Sequence, residues 1–378
     1  MTDAAAGNRS APLGVLWEGE FFVAHSLALV NRELSLALLE SGAVDLGIAP
    51  VDDATRAAPA LIRDAGLMQR LRRAPASGVE VHVRHQWPPR FERPAAGRLV
   101  VMLPWEFGRL PRAWATALSE QVDEVWAPSE HVRRTHIHSG VPAGKVHRIA
   151  NGVDAQRFRL DAEPMTLATR KGFRFLFVGG AIWRKGFDVL LEAYSQAFSA
   201  RDDVCLVLKD FGADSFYAGG DVVERVRALR ADPEAPEVLY LDATLSDAQM
   251  PSLYAACDVL AHPYRGEGFG LPIAEAMACG LPPIVTRGGA ADDFCSEHTA
   301  LWVDATRRPV SIGSEAVGQP WVLEPDRDAL VEQLLACYED RAMVERKGRA
   351  ASDWVRTNLT WERSAQQALR RLHALAGR

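Results

Sequence analysis

The chain has 378 residues, 48% of them hydrophobic and 24% charged, with a net charge of −6. This is long enough for two domains with full cores. The composition is that of an ordinary soluble globular protein, and the acidic balance excludes global recruitment to nucleic acid or an anionic membrane. Five cysteines (205, 257, 279, 295, 337) show no CxxC or Cys/His ligand spacing and read as reduced thiols, mostly small core residues. The first residues lack the apolar run of a signal peptide, and no stretch of about 18 apolar residues occurs, so the expectation is a cytoplasmic protein without a transmembrane segment.

Residues 1–11 are small and polar, and the expectation is a disordered start. Leu13 to Trp17 reads as a first strand, and a helix follows from about His25 to Glu40, with Leu27, Val30, Leu34, Leu38 and Leu39 at helical spacing. Gly19, between them, either lets a ligand approach the backbone or makes a plain turn. Pro59 to Pro94 carries seven arginines (63, 70, 72, 73, 84, 90, 93) against Asp64, Glu80 and Glu92. That is either a basic patch for an anionic acceptor or a peripheral membrane contact, or a solvated face. Val81 to Val83 is a short strand leading into Arg84-His85-Gln86-Trp87-Pro88-Pro89, an extended loop. Leu99 to Leu103 is the next strand and ends in Pro104-Trp105-Glu106-Phe107-Gly108. Both clusters lie where open α/β sheets place ligands. His85 or Glu106 is an acid/base candidate, with a structural Trp/His pair as the alternative. Val122 to Ala127 is a strand, Ser129 caps a helix from Glu130 to His138, and Val146 to Ile149 leads into a turn. The aperiodic stretch 155–171 marks a linker.

A second unit then begins. Phe173 to Val178 is a strand, followed by Gly179 to Gly186 with Arg184 and Lys185, and by a helix from Phe187 to Ser199. Val204 to Lys209 and Val238 to Leu241 are strands, with a helix from about Asp221 to Arg230 between them. Ser246 caps a short helix to Ala256. Asp258 to His262 is a buried strand, and a loop with Gly266, Gly268 and Gly270 follows it. Pro272 opens a helix, Gly280 closes it, and Leu281 to Thr286 is the next strand. The tail is helical, with Trp354 and Trp361 as anchors. The alternation argues for two doubly wound, Rossmann-like α/β domains facing a cleft. They span 1–165 on the acceptor side and 166–355 on the donor side, and a helix over 356–378 packs back toward the first.

The loop after His262 aims backbone N–H groups and the positive end of a helix at an anion, usually a phosphate. It also carries Glu267 and Glu275, with seven residues between them. A phosphate cradle with carboxylates suits a nucleotide sugar. Arg184 and Lys185 stand on the same edge of the sheet by the rule that ligands bind at the carboxyl ends of strands. Fixed cations there would stabilise the charge of a departing diphosphate. With those cations present a metal is unnecessary, and no Asp-x-Asp stands in a setting suited to hold one.

FVGGAIWRKGFDVLLEAY and EGFGLPIAEAMACGLPPIVT resemble the donor-domain motifs of GT-B retaining glycosyltransferases of family GT4. VWAPSEHVRRTHIHSGVPAGKVHRIANGVD is similar to that family's region before the linker, and the likeness covers about residues 120–365. It implies transfer of a sugar from a nucleotide donor to a glycan or small-molecule acceptor, with retained anomeric configuration and no metal or cofactor. UDP is the first expectation for the donor and GDP the next. Under this resemblance Lys185 would hold the diphosphate, Glu267 would lie near the donor sugar hydroxyls and Glu275 would bind the ribose. The backbone of Gly268, Phe269, Gly270 and Leu271 would meet sugar and phosphates. Two departures stand out. Where the family often has Arg after the first glycine of the 179–186 loop, this chain has Gly180, and Arg184 would supply the charge instead. Where many members carry a histidine after an N-domain strand, this chain has Leu103-Pro104-Trp105-Glu106, so Glu106 or His85 would serve.

Two other functions compete. A dinucleotide oxidoreductase would use Asp292 or Asp293 as its ribose acid, but the spacing is not G-x-G-x-x-G. A non-catalytic nucleotide-sugar or glycan-binding protein on the same fold fits the two departures.

Overall fold

A computed structural model describes residues 11–23, 25–52, 65–70, 73–210, 222–243, 245–246 and 248–378. The start over residues 1–10, Arg63, Asp64 and Arg72 of the arginine-rich stretch, and Asp221 at the expected helix start lie outside the described residues.

Two six-stranded sheets form the framework. The first contains β1 (Leu13–Gly19), β2 (Val44–Pro50), β3 (Val81–His85), β4 (Arg98–Met102), β5 (Glu124–Ala127) and β6 (Val146–Arg148), in the order β2-β1-β3-β4-β5-β6. The second contains β7 (Phe173–Val178), β8 (Val204–Lys209), β9 (Glu237–Leu241), β10 (Val259–His262), β11 (Pro283–Thr286) and β12 (Leu301–Val303), in the order β12-β11-β10-β7-β8-β9. Each order reverses beside its first strand, between β1 and β3 and between β7 and β10. Connections leave opposite faces there, so a crevice opens at the carboxyl ends of those strands. This is the two-domain, Rossmann-like α/β architecture that the alternating pattern implies.

By contacts the chain divides into two units. One comprises Met1–Leu103, Glu120–Trp126 and Trp361–Arg378, and the other Pro104–Ser119 and Ala127–Thr360. In the first, α1 (Ser26–Glu40) and α11 (Trp361–Ala376) pack together, and Arg371 of α11 is ion-paired to Glu124 of β5. The second unit holds α4 (Glu130–His138), α5 (Phe187–Ala197), α6 (Val222–Ala231), α7 (Gln249–Ala255), α8 (Leu271–Ala278), α9 (Arg327–Glu339) and α10 (Arg341–Asn358). Its core is built on β7, whose Phe173, Phe175 and Phe177 meet Phe187, Tyr194 and Phe198 from α5 and its end. Near-continuous apolar runs are expected for a parallel strand covered on both faces. All five cysteines are free and buried.

Several elements go beyond the sequence reading. The apolar pattern does not mark β2, because Gly47 and Pro50 interrupt it. Gly47 is required there, since a Cβ would come 1.9 Å from the Arg73 carbonyl oxygen. Two short helices, α2 (Ala65–Arg70) and α3 (Arg112–Glu120), and an antiparallel hairpin of β13 (Ala305–Pro309) and β14 (Trp321–Pro325) are also additions. β3 runs through His85, so that residue ends a strand rather than starting a loop. Ser246 does not cap α7, whose cap position is Ala248. Ser246 instead takes the Gln249 N–H within the preceding turn. Trp361 is buried, whereas Trp354 is only half-buried. Among the described residues no helix is long and apolar enough to cross a membrane.

Candidate active site

At the reversal point of the second sheet, the loops after β7 and β10 interlock. The Arg184 carbonyl accepts from the Arg265 and Gly266 N–H groups at 2.8 and 3.2 Å. The Arg184 Nη1 donates back to the Gly266 carbonyl at 2.5 Å. Two glycines permit this approach. Gly186 has a left-handed φ of 71°, and a Cβ there would sit 1.9 Å from the Pro263 carbonyl oxygen. Gly179 lies against Lys185, whose Cδ would be 2.9 Å from an added Cβ. Gly180, beside it, is buried and its carbonyl accepts from Ile182.

Glu267 is the centre of the charge cluster. It is 7% exposed, is ion-paired with Lys185, accepts from His262 Nε2 at 3.2 Å and lies 3.8 Å from Arg184 Nη1. Burial pushes its carboxyl pKa up, but the Lys185 charge, the His262 hydrogen bond and the Arg184 charge outweigh it and hold the group well below the usual carboxylate range. His262 is fully buried and stacked on Phe177 with ring centroids 5.4 Å apart. Burial lowers its pKa, so a neutral ring donates to Glu267. His262 was missed from sequence, although its position as the last residue of β10 was a usable signal. Arg265, three residues beyond the end of β10, is also absent from the sequence reading and is 3% exposed. It grips Asp188 at 2.6 and 2.9 Å, Glu324 of β14 at 2.7 Å and the Trp183 carbonyl at 2.6 Å.

Glu106 joins this cluster. Its carboxylate is 3.6 Å from Arg184 Nη2. Its carbonyl oxygen would be 2.2 Å from a Cβ on Gly266, so only glycine fits beneath it. Gly268 lies against Pro104, 3.0 Å from an added Cβ, and its carbonyl accepts from the Ser129 hydroxyl at 2.8 Å. Ser129 also caps α4, as its spacing implied.

The helix N-terminus behind the loop is α8. Gly270 stands at its cap with φ 93° and no side chain to take up the first N–H groups, and Pro272 lies in the first turn. Leu271 is its first residue. Phe269 points into the core and packs on Phe294, with ring centroids 5.2 Å apart, so this residue offers its backbone. Glu275 accepts from the Tyr254 hydroxyl at 2.9 Å. Gly280 has φ 86° and follows the helix end. Asp292 and Asp293 are engaged elsewhere. Asp292 accepts from the Gly288 N–H at 3.0 Å, and Asp293 pairs with Arg148 at 2.8 Å and accepts from the Glu130 N–H at 2.9 Å.

The remaining candidates belong to the first unit. His85 is 3% exposed, and its Nδ1–H donates to Asn31 Oδ1 at 2.8 Å. Burial and the nearby His25 push its pKa down to about 3. Asn31 also accepts from Trp17 Nε1 and donates to the Glu20 and His85 carbonyls. Gly19 is what lets Asn31 and the β3 end approach, because a Cβ there would lie 2.1 Å from the His85 carbonyl oxygen. Beside it, Glu18 bonds His82 and Arg84 at 2.8 and 2.9 Å. Burial raises the Glu18 pKa, but those two partners bring it down to about 2. Among the described residues no group of three or more His, Cys, Asp or Glu side chains is gathered as for a metal ion.

The chain matches two family models, "Glycosyltransferase Family 4" over residues 65–157 and "Glycosyl transferases group 1" over residues 164–312. It is 26% identical over 273 residues to a GDP-mannose-dependent alpha-(1-6)-phosphatidylinositol monomannoside mannosyltransferase of Mycobacterium tuberculosis, covering 68% of this chain and 63% of the relative. To a D-inositol 3-phosphate glycosyltransferase of Pseudarthrobacter chlorophenolicus it is 30% identical over 207 residues, covering 54% and 44%. It thus spans less than two thirds of either relative. Among solved structures it is similar to Anabaena Alr3699/HepE in complex with UDP and glucose, with a TM-score of 0.66, 16% identity and 95% and 99% of the two chains covered. The sucrose-phosphate synthase of Thermosynechococcus elongatus gives a TM-score of 0.63, 18% identity and 99% and 98% coverage. The two models lie end to end along the sequence, and the second holds the whole Glu267–Arg184–Lys185 cluster: the chain is similar to the GT4-type glycosyltransferases and shares the GT-B fold.

Proposed function

We propose that this protein is a retaining, metal-independent glycosyltransferase that moves a sugar from a nucleotide-sugar donor to an acceptor hydroxyl. The observation that carries the reading is the interlocked pair of loops at the β7/β10 reversal point. They bring Arg184, Lys185 and the open N-terminus of α8 to one edge with the carboxylate of Glu267. A diphosphate seated there would take Lys185 and Arg184 as counter-ions, so the negative charge that grows as the sugar–phosphate bond breaks is met by charges already in place. Glu267, kept ionised by the same two cations and by His262, then faces the sugar hydroxyls as an acceptor. Glu275, steadied by Tyr254, is assigned to the ribose.

In this mechanism the acceptor hydroxyl attacks the anomeric carbon from the side of the leaving phosphate. The phosphate oxygen takes the hydroxyl proton as the new bond forms. Orientation and electrostatics supply the catalysis, and no side chain need act as a base. The donor is a UDP- or GDP-sugar, in keeping with UDP in the Anabaena structure and GDP-mannose in the mycobacterial relative. Of the two residues weighed for the missing histidine, we assign the role to Glu106, because it lies within 3.6 Å of Arg184 while the His85 ring is held by Asn31.

A thermal-shift panel of UDP, GDP, ADP and dTDP and their sugars tests the donor, since binding raises stability by RT ln(1 + [L]/Kd). One nucleotide should stand out, and a flat panel would remove the reading. NMR of the product's anomeric carbon tests the stereochemistry, and inversion would refute front-face attack.

A further inference from the structure

The segment Pro104–Ser119 follows β4 in sequence yet belongs to the unit that carries the Glu267 loop. What holds it there is the β13–β14 hairpin. The Gly108 N–H donates to the Trp321 carbonyl at 2.8 Å, the Val317 N–H to the Leu110 carbonyl at 3.0 Å, and the Arg112 N–H to the Glu315 carbonyl at 2.8 Å. The Arg112 and Glu315 side chains close the contact at 2.6 Å. The Trp321 indole lies flat on Gly108, where a Cβ would come within 1.9 Å of Cε2. Its other neighbours are Arg307, 4.2 Å from the ring centre, and His131, edge-on at 5.9 Å. Between the strand β4 and this anchor, Trp105 is buried, donates Nε1–H to the Arg109 carbonyl at 2.7 Å and packs on Phe107 and Trp114. Residues 105–109 are thereby a short rigid arch, and Glu106 is on it.

We propose that Trp321 is a positioning residue for glycosyl transfer, holding the 105–109 arch so that Glu106 stays on Arg184. This rests on the reading of Glu106 and Arg184 given above. The physical argument is one of charge sharing. A single guanidinium, Arg184, faces two carboxylates, Glu106 at 3.6 Å and Glu267 at 3.8 Å. If the arch loosens, Arg184 loses one of its two carboxylate partners and keeps Glu267 and the Gly266 carbonyl, and its charge shifts from where the leaving diphosphate needs it. A displacement of about 1 Å is enough to cost a large factor in rate. The hairpin also reaches the other side of the same loop, since Glu324 on β14 grips Arg265. It therefore holds the cluster from two directions.

The test is a double-mutant cycle between Trp321→Ala and Glu106→Gln, with Trp321→Phe as a variant that keeps most of the packing and Gly108→Ala as one that pushes the indole away. Turnover is measured as nucleotide release from UDP-glucose or GDP-mannose, whichever stabilises the protein more. Trp321→Ala should lower kcat by about tenfold while the donor KM stays within about twofold. In the Glu106→Gln background it should have little further effect, because the arch then has nothing to deliver. Gly108→Ala should reproduce the loss from the opposite side, and Trp321→Phe should restore most of the rate. Hydrogen exchange of residues 105–109, measured without donor, should rise in Trp321→Ala and not in Trp321→Phe. Additive losses in the cycle, a rise in donor KM with kcat kept, or unchanged exchange would overturn the proposal. Full turnover in Glu106→Gln would overturn it together with the role of Glu106, whereas a Glu106→Gln loss with an additive Trp321→Ala loss would sink the positioning role alone.

Discussion

Each sheet reverses its strand order once, and the two reversal points are built to opposite ends. Between β1 and β3 most of the polar groups are consumed internally, the Glu18–Arg84 ion pair included. Asn31 makes four hydrogen bonds, to Trp17, His85 and the carbonyls of Glu20 and His85. Asp52 takes the N–H groups of Phe21, Phe22 and Val23. Among the described residues, Glu20 Oε2 and Gln86 Oε1 are buried acceptors beside them without a partner. Between β7 and β10 the groups are instead charged and paired in a way a ligand can re-partition, with Glu267, Glu106, Arg184 and Lys185 sharing one another. Neutral hydrogen bonds between fixed groups give rigidity, whereas an ion pair at a sheet edge can exchange one anion for another at modest cost. The same topology thus yields a frame in one unit and a charge-handling site in the other.

The sharpest way to break that comparison is Lys185→Ala. If the charged edge does the chemistry, kcat should fall by about a hundredfold or more, as for loss of one well-placed stabilising group. The melting temperature should also drop, because Glu267 is left buried with a weaker partner. Steady-state kinetics with a parallel thermal melt checks both, and unimpaired turnover would make the two edges equivalent. On the other edge, Asn31→Leu should cost about 3 kcal/mol of stability by stranding four hydrogen-bonding groups, read by urea unfolding. Turnover per folded molecule should hold, and a collapse in kcat with stability intact would bring His85 back into the reaction.

A pH series sharpens the contrast further. His85 keeps a pKa of about 3 in the folded protein, against an ordinary value of 6.5. Between those values the unfolded chain binds a proton that the folded chain does not. Stability therefore rises with pH across that window and is lost as pH falls from 6.5 toward 3. One such group contributes a slope of about 1.4 kcal/mol per pH unit. Urea unfolding of His85→Gln over the same window should show the slope reduced by that amount. The smallest expected effect is on the charged edge. Arg184→Ala should weaken nucleotide binding by about tenfold in calorimetric titration, because Lys185 and the α8 N-terminus remain. Unchanged affinity would mean that the charge replaced at Gly180 comes from elsewhere.

Much of this molecule is legible in its sequence. Buried parallel strands such as Phe173–Val178 and Val204–Lys209 are short apolar runs bounded by turn residues, which mark both ends of each strand. The helix over Glu130–His138 is announced by Ser129, and the cradle at α8 by Gly270, Pro272 and Gly280. These are local effects, because backbone conformation, capping and a left-handed φ depend on residues a few positions apart. The cluster around Glu267 was also half visible, since Glu267, Arg184 and Lys185 each sit just beyond a strand.

Other features were decided only in three dimensions. β13 reads as a polar loop, since Ala-Thr-Arg-Arg-Pro has no buried face and acquires its partner from residues 321–325. β2 is hidden by Gly47, whose purpose is to admit the Arg73 carbonyl. His85 and Glu106 looked alike in sequence, two polar residues beyond neighbouring strands. Asn31, from a distant helix, holds the ring of the first, and burial keeps it neutral. Gly266 and Trp321 set the second beside Arg184. Sequence determines which groups stand at a sheet edge. Whether such a group is satisfied by its own fold or left to meet a substrate depends on partners tens to hundreds of residues away, and only tertiary packing supplies those.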